Sequence, residues 1–374
     1  MPAEAAPSLK DELERGLDAP ICITWELTYA CNLACVHCLS ASGRRDPREL
    51  TDAEAVSLID ELAAMGVFYV NVGGGEPMLR ASFFDLIEHA TGRGIGVKFS
   101  TNGTRLNEAA ARRLARMDNL DIQVSLDGAT AGVNDAVRGE SSYAAAIAAM
   151  DNLAAADFGP FKLSVVATRD SLLELDALVA LADRYGAQLR ITRLRPSGRA
   201  IRSWDDLRPT STQLVSLHAW LLDHQEVLTG DSFFHLSALG KPLAGLNMCG
   251  AGRVVCLVDP VGDVYACPFV IDEQFRAGNV RSGGFGQIWR ASVLFSQLRS
   301  TKSAGACASC GSYDACRGGC LAAKFFTGLD LAGPDPECVL GHGATSLDQR
   351  GPWEPPPLWS DHSRRVPIRL IPRG

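Results

Sequence analysis

Three cysteines near the N-terminus have the types and spacing for redox chemistry. Cys31, Cys35 and Cys38 are separated by three and two residues and follow an apolar, β-branched run over residues 21–28. Such a loop can bring three thiolates around one iron–sulfur cube, which leaves the fourth iron without a protein ligand. That iron can bind a small molecule and pass it an electron. The alternatives are a zinc site or buried free thiols, but structural zinc normally takes four protein ligands in pairs.

The composition of the chain favours a cytoplasmic protein whose thiols are bound to metal. It has 374 residues, of which 47% are hydrophobic and 21% charged, and it contains twelve cysteines. Disulfide scaffolds are usually short and secreted, whereas this chain is long and residues 1–16 contain no apolar signal segment. No apolar run is long enough to span a membrane. The net charge of −7 disfavours nucleic acid, so we expect neither nucleic acid nor membrane as a partner.

Short apolar runs alternate with amphipathic helices in the first half of the chain. Six β-α repeats of this kind predict an α/β fold, a partial (β/α)6 barrel with parallel strands. No strand–helix pair follows residue 194, which disfavours a closed eight-stranded barrel. The predicted strands are residues 21–27, 68–72, 95–99, 120–125, 161–166 and 189–194, and the predicted helices between them are 51–64, 83–91, 107–117, 143–156 and 172–185.

The remaining segments differ in composition from the barrel. Eight of the twelve cysteines lie in a glycine-rich, loop-rich stretch that we expect to bury little apolar surface and to be held together by metal. The predicted organisation is an N-terminal extension (1–20), the barrel (21–198), a helical bridge (199–247) with a helix over 212–228, the cysteine-rich domain (248–342) and an extended, proline-rich tail with a basic end (343–374).

Polar and glycine-rich motifs follow successive predicted strands. Since βα loops at the carboxyl ends of barrel strands build active sites, these motifs are expected at one rim of the barrel. Each motif is weak by itself, but their arrival in order at one rim favours a single site. They are Gly73-Gly74-Gly75-Glu76-Pro77 after the second strand, Ser100 to Gly103 after the third, Ser125-Leu126-Asp127 after the fourth, then Arg138, Thr168 at the fifth and Arg195 at the sixth.

The ordered set of motifs over residues 21–196 resembles the radical S-adenosylmethionine (SAM) enzymes. The resemblance implies that Cys31, Cys35 and Cys38 hold a four-iron, four-sulfur cluster whose open iron is chelated by the methionine amine and carboxylate of SAM. It also implies the further contacts: Gly74, Gly75 and Glu76 at the amino group, Ser125 and Asp127 at the ribose with Ser125 also able to reach the carboxylate, Arg138 neutralising the carboxylate, and His37 either near the adenine or simply packed.

The eight C-terminal cysteines could ligate two further cubes, with a pair of zinc sites as the alternative. Their pattern resembles the SPASM extension of radical enzymes that modify ribosomal peptides. This resemblance implies two auxiliary four-iron, four-sulfur clusters, hence three clusters in all, and leaves Cys22 as a packed thiol. The implied ligands are Cys249, Cys256, Cys267 and Cys320 for the first auxiliary cluster, and Cys307, Cys310, Cys316 and Cys338 for the second.

Within the SPASM enzymes, residues 248–253, 308–320 and 323–328 look most like the mycofactocin radical maturases. Sulfatase maturases carry an aspartate that acts as a base where this chain has Pro268, which weakens the interpretation of the chain as a sulfatase maturase. The resemblance implies a ribosomal precursor peptide ending in Val-Tyr, whose tyrosine is oxidatively decarboxylated and then joined to the valine side chain. The alternative is another SPASM maturase, of the quinone-cofactor, thioether-forming or sulfatase-maturing type.

Two protein partners are expected besides the precursor peptide. Residues 1–20 are too few for a fused peptide-recognition domain, so a separate small chaperone is expected to deliver the precursor, as the resemblance suggests. Electrons are expected from a reductase or from a flavodoxin or ferredoxin. A non-enzymatic cluster protein and an RNA-modifying radical enzyme are rival classes; the first would not need the Gly-Gly-Glu-Pro and Ser-x-Asp motifs, and the acidic charge disfavours the second.

Overall fold

A nine-stranded sheet forms the centre of this protein, in a computed structural model that describes residues 12–13, 15–230, 233–300 and 303–357. The strands are β1 (Cys22–Thr28), β2 (Tyr69–Gly74), β3 (Gly96–Thr101), β4 (Leu120–Ser125), β5 (Lys162–Ala167), β6 (Gln188–Arg193), β7 (Val255–Val258), β8 (Asp263–Tyr265) and β9 (Arg276–Asn279). Their order is β6-β5-β4-β3-β2-β1-β7-β8-β9. Strands β1 to β6 are paired in parallel and the sheet does not close, which confirms the predicted partial barrel.

Helices connect the parallel strands, as the β-α alternation predicts. The first begins with a capping box in which Thr51 and Glu54 satisfy each other's backbone amides. The α-helices of the described residues are α1 (Asp52–Ala64), α2 (Phe83–Gly92), α3 (Glu108–Leu114), α4 (Ala131–Arg138), α5 (Ser142–Ala155), α6 (Leu175–Arg184), α7 (Trp204–Leu207), α8 (Ser211–Asp223), α9 (Phe285–Ala291), α10 (Val293–Arg299), α11 (Tyr313–Cys316), α12 (Leu321–Phe326) and α13 (His342–Gln349). None of them is both long and apolar enough to cross a bilayer.

The sheet continues past the six predicted strands. Strand β7 pairs with β1 in parallel, and β8 and β9 follow it as antiparallel partners. Strand β7 is not among the six predicted strands, and the sheet that it extends does not close into an eight-stranded barrel. The sequence does not reveal β7 because this strand spans only four residues between two glycine-rich turns and gives no clear pattern.

The cysteine-rich region also buries more apolar surface than its composition suggests. Tyr265, Phe285, Trp289 and Phe295 are fully buried. Three of them, all but Tyr265, belong to the same continuous core as the barrel. The expectation that this region buries little apolar surface is wrong, because a few large aromatic side chains provide a core among many small residues.

Two predicted segment boundaries shift. The helix predicted over residues 212–228 is α8 and ends at Asp223, after which Leu228 pairs with Arg190 at the edge of β6. The tail predicted to be extended from residue 343 begins instead with α13, because 342–349 lacks proline. The basic end at residues 364–373 and most of the N-terminal extension lie outside the described residues.

A buried ion cluster joins the barrel to the cysteine-rich region. The Arg193 side chain, 2% exposed, donates to Asp335 at 2.5 and 2.8 Å and to Glu337 at 2.6 Å. Asp335 also accepts the backbone N–H of Cys320 at 2.7 Å. The end of β6 and a predicted cluster ligand are thereby fixed relative to one another.

Candidate active site

The loop that carries Cys31, Cys35 and Cys38 is held from two sides. The backbone N–H of Cys31 donates to Gly43 O at 2.9 Å. From the segment after β6, Arg199 donates through Nε to Cys35 O and through Nη1 to Ser42 O, both at 2.8 Å. Its backbone N–H donates to Cys38 O at 2.9 Å. Sequence reasoning missed Arg199, since an arginine that binds only backbone carbonyls leaves no motif.

The three thiols of this loop are free and line one cavity of about 360 Å³. Burial raises the pKa of Cys31 to about 12. Burial also raises the pKa of Cys35, against the opposing charge of Arg138. Thiols that resist ionisation in the free protein become thiolates when a cationic metal centre binds them. Three free thiols that line one cavity fit a four-iron, four-sulfur cube whose fourth iron has no protein ligand. Among the described residues, no group of three or more His, Cys, Asp or Glu side chains is placed to hold a single metal ion.

The glycine motif after β2 approaches the cysteine loop at backbone distance. A Cβ added at Gly75 would lie 2.0 Å from Ala30 O, and Gly74 has a φ of +104°. Only glycine fits both conditions. The Gly75 N–H donates to Thr28 O at 2.8 Å, so this amide is used within the protein. The backbone of Gly73, Gly74 and Gly75 lines the cavity.

Glu76 lies behind the cavity and does not join its lining. Its carboxylate is fully buried and accepts the Asn102 N–H at 2.7 Å and the Thr101 hydroxyl at 2.9 Å. Burial raises its pKa to about 7, against these hydrogen bonds. Glu76 therefore fixes the end of β3 beside the glycine motif, and the resemblance alone does not reveal this placement.

Asp127 is also placed beneath the cavity. Its Oδ2 lies 2.9 Å from His37 Nε2 and 2.7 Å from Arg138 Nε, and its Oδ1 accepts the Val166 N–H at 2.7 Å. Burial would raise its pKa, but Arg138 and then His37 hold it below the ordinary aspartate value. The ribose contact expected for Asp127 differs from this placement, because the chain turns after Ser125 and carries the carboxylate inward.

The remaining predicted contacts of SAM do reach the cavity. Its lining includes Ser125, Arg138 and His37 together with the three cysteines. Arg138 lies at the end of α4, a helix that the sequence pattern did not reveal because most of its residues are small or polar. The structure thus brings together the cysteine loop, the glycine motif and three of the predicted polar contacts, with Asp127 and Glu76 as their supports.

The eight C-terminal cysteines fall into two groups. One small cavity is lined by Cys307, Cys310, Cys316 and Cys338, the set expected for the second auxiliary cluster. His235 also lines it and is buried. Four thiols around one cavity fit a fully ligated cube.

A second cavity, of about 780 Å³, is lined by Cys249, Cys267 and Cys320. Arg195 donates to Cys320 Sγ at 3.4 Å and lies over the Phe269 ring. The fourth expected ligand, Cys256, is fully buried on β7 and does not line this cavity, whereas Cys22 of β1 does. The structure thus brings three of the four expected ligands to one cavity.

The cavities of about 360 and 780 Å³ adjoin each other, since they share part of their lining, and we call the two together the chamber. Pro268 and Phe269 of the cysteine-rich region line both, as do Lys98 and Arg190 of the barrel interior. A molecule in this chamber therefore contacts the barrel on one side and the cysteine-rich region on the other. Pro268 places no carboxylate where a sulfatase maturase would have its aspartate.

Comparison with known proteins agrees with this arrangement. A model of the radical SAM superfamily matches residues 25–177, and a model of the SPASM iron–sulfur cluster-binding domain matches residues 249–311. The solved structure of Streptococcus suis SuiB bound to S-adenosylmethionine has a TM-score of 0.72 at 18% identity, covering 87% of this chain and 78% of that one. The fold is therefore shared with this protein.

Much closer relatives are known by sequence. Mycofactocin maturase MftC of Mycobacterium ulcerans is 63% identical over 364 residues, 96% of this chain and 98% of that protein. MftC of Mycolicibacterium smegmatis is 61% identical over 365 residues, 96% of this chain and 93% of that protein. This chain belongs to the mycofactocin maturases, radical SAM enzymes with a SPASM iron–sulfur domain.

Proposed function

We propose that this maturase acts on a small ribosomal precursor peptide that ends in Val-Tyr, oxidatively decarboxylating the tyrosine and then joining it to the valine side chain. The observation that supports this best is the chamber, whose lining includes the three-cysteine loop and Cys249, Cys267 and Cys320 of the first auxiliary set. A peptide end in that chamber would be close to both redox sites. The alternative, another SPASM peptide or protein maturase, is also compatible with the chamber, but the close sequence similarity to a mycofactocin maturase does not support it.

We further propose three four-iron, four-sulfur clusters in two domains, the barrel over residues 21–198 and the cysteine-rich domain over 248–342. When bound, the first cluster and SAM supply reductive cleavage of SAM and hence hydrogen abstraction from an unactivated carbon. The proposed ligands are Cys31, Cys35 and Cys38 for the first cluster, Cys249, Cys256, Cys267 and Cys320 for the second, and Cys307, Cys310, Cys316 and Cys338 for the third.

In this proposal the protein's own side chains divide into contacts and supports. Arg138 neutralises the carboxylate of SAM, Ser125 binds the ribose and His37 lies near the adenine. Asp127 holds Arg138 in place through an ion pair at 2.7 Å, and its Oδ2 lies 2.9 Å from His37 Nε2. Because Asp127 is buried and already engaged, it acts through these neighbours and does not itself touch SAM.

The cysteine-rich domain covers the chamber. Pro268 and Phe269 line it opposite the barrel strands, and Arg195 stacks on Phe269 with 3.8 Å between guanidinium and ring centroid. An apolar lid of this kind would exclude water from a radical intermediate. Cofactor binding and shielding would then be built from both domains together.

Two protein partners remain proposals based on the family resemblance. A separate small chaperone would deliver the precursor, and a reductase or a flavodoxin or ferredoxin would supply electrons. Pull-down with labelled precursor tests the first: tight binding of the precursor to this chain alone would contradict it.

The reaction itself is tested by anaerobic reconstitution with SAM, dithionite and a peptide ending in Val-Tyr. The expected product has lost carbon dioxide and is not crosslinked to another peptide, as mass spectrometry of the peptide would show. The reconstituted protein should contain about twelve irons if three cubes are present. A thioether or quinone product would favour the alternative maturase classes.

A further inference from the structure

The interior of the barrel holds two cations that the described residues leave without a counter-charge. Lys98 on β3 and Arg190 on β6 point into the chamber and line both of its cavities. Arg190 Nη1 donates to Ser164 Oγ at 3.5 Å, and no described carboxylate is within salt-bridge distance of either cation. By contrast, Lys162 on the neighbouring β5 is paired with Asp121 at 2.5 Å. Buried cations are normally paired.

The electrostatics of Lys98 and Arg190 are those of a site that an anion would stabilise. Burial, then the charge of Arg190, lowers the pKa of Lys98 to about 8. Burial also lowers the pKa of Arg190. Asp121 and Tyr69 act in the opposite direction but do not compensate fully. A bound anion would relieve both the burial cost and the mutual repulsion.

The strand register places these cations just below the rim. Lys98 precedes Ser100 by two positions on β3, and Arg190 precedes Thr192 by two on β6, so each lies about 7 Å deeper in the barrel. Ser100 and Thr192 line the cavity beside the cysteine loop. A group held by Lys98 and Arg190 would therefore lie one residue layer below the rim at which SAM is proposed to bind.

We propose that Lys98 and Arg190 bind the C-terminal carboxylate of the precursor peptide. This inference rests on the proposed function, since a peptide modified at its last two residues must bring its terminal carboxylate into the chamber. An arginine and a lysine together provide a planar donor pair and a point charge for one carboxylate. They would select a free C-terminus and fix the last residue below the rim.

The test compares two forms of one peptide. A fluorescently labelled peptide ending in Val-Tyr is prepared with a free carboxylate or with a terminal amide, and each is titrated into anaerobic, reconstituted enzyme with SAM bound. The carboxylate form is expected to bind at least about 30-fold more tightly. Arg190→Gln and Lys98→Met should each remove most of this preference and leave the affinity for the amide form unchanged.

Matched controls separate this site from other effects. Lys162→Gln removes a nearby cation outside the chamber lining and should keep the full preference. The affinity for SAM should not change in Arg190→Gln; a large loss would assign the pair to the carboxylate of SAM and overturn the proposal. The amide form also reports folding, because a misfolded variant would lose affinity for both peptides.

The outcomes for site and reaction are distinct. Equal binding of the two peptides to the wild-type enzyme would overturn the carboxylate site even if product forms, and this comparison requires no variant. Carboxylate-dependent binding without any product would support the site and count against the Val-Tyr chemistry alone.

Discussion

Buried charges at the rim of the barrel are paired with opposite charges, whereas those in its interior are not, in the part of the chain that the structure describes. At the rim, Arg138 is paired with Asp127, and Arg193 is paired with Asp335 and Glu337. In the interior, Lys98 and Arg190 have no such carboxylate among the described residues. The two layers are only about 7 Å apart along the strands.

This difference distinguishes rim residues that form the site in the free protein from interior residues that are neutralised only when a ligand binds. A buried charge paired within the protein fixes geometry before any ligand arrives, as needed for a cluster loop and a cofactor pocket. A buried charge left unpaired destabilises the free protein, and that cost is offset only when an anion binds. The rim is thus preorganised by the protein, and the interior is completed by the substrate.

The largest effect should come from removing a paired rim cation. Arg193→Gln would leave Asp335 and Glu337 buried without their partner, so the free energy of unfolding should fall by about 3–5 kcal/mol. Arg190→Gln, the matched interior variant, should not lower it and should raise it, because the substitution removes a buried cation that has no described carboxylate partner. Anaerobic denaturant unfolding of both holoenzyme variants measures this, and equal losses would refute the distinction between rim and interior.

Asp127→Asn should have the next largest effect. The amide keeps the size of the side chain but leaves Arg138 without a counter-charge, at a cost of about 2–3 kcal/mol in unfolding free energy. Since Arg138 would lose its orientation, the affinity for SAM should fall as well, as equilibrium dialysis would show. Ser125→Ala is the control, which should weaken SAM binding without a comparable loss of stability. A fully stable Asp127→Asn enzyme would contradict the supporting role.

Gly75→Ala should cost about 1–3 kcal/mol through overpacking. The added Cβ would lie 2.0 Å from Ala30 O, so the backbone before Cys31 must shift. Gly73→Ala is a close control, because nothing lies within 4 Å of a Cβ there. The temperature of thermal unfolding should fall in the first variant only; an equal fall in both variants would show that the close approach does not matter.

The smallest effect concerns Glu26, an interior carboxyl that lines the chamber. Burial, then the nearby Asp259, raises its pKa from 4.5 to about 8. Between these two values the folded protein keeps this proton while the unfolded chain releases it, so stability falls as pH rises towards 8. Glu26→Gln should make this decline shallower by about 1.4 kcal/mol per pH unit. Unfolding measured from about pH 5.5 to about pH 7.5 lies inside this window and tests it.

A matched surface change checks that result. Glu108→Gln makes the same substitution at an exposed carboxylate on α3 and is measured beside Glu26→Gln as the control for the substitution itself. An unaltered slope in the Glu26→Gln protein would mean that Glu26 is ionised in the folded state. The chamber would then already contain an anion, and its cations would not be uncompensated.

Much of the barrel could be predicted because its signals are local. Apolar runs of β-branched residues and capping motifs identified six strands within one or two residues, and the order of the motifs placed the cysteine loop and glycines at one rim. Strand β7 was not predicted, because four residues give too little periodicity to identify a strand. The aromatic core of the cysteine-rich region escaped because Trp289 and Phe295 lie among residues whose average composition is loop-like.

The roles of individual polar residues were harder to predict. Asp127 belongs to a recognisable motif, but its direction depends on the turn after Ser125 and on the Val166 amide of the next strand. Arg199 has no motif at all, because it binds backbone carbonyls of a loop more than 150 positions away. Long-range hydrogen bonds of this kind depend on the packed structure, which sequence periodicity does not describe.

The central claim is that radical chemistry begins at the three-cysteine loop, with the other clusters separate from it. The most direct test is a Cys31, Cys35 and Cys38 triple alanine variant, reconstituted anaerobically beside the wild-type enzyme and assayed for iron and for 5′-deoxyadenosine with dithionite and SAM. The variant is expected to keep about eight of the wild-type enzyme's irons, which number about twelve, and to form no 5′-deoxyadenosine. Continued cleavage of SAM by the variant would contradict it.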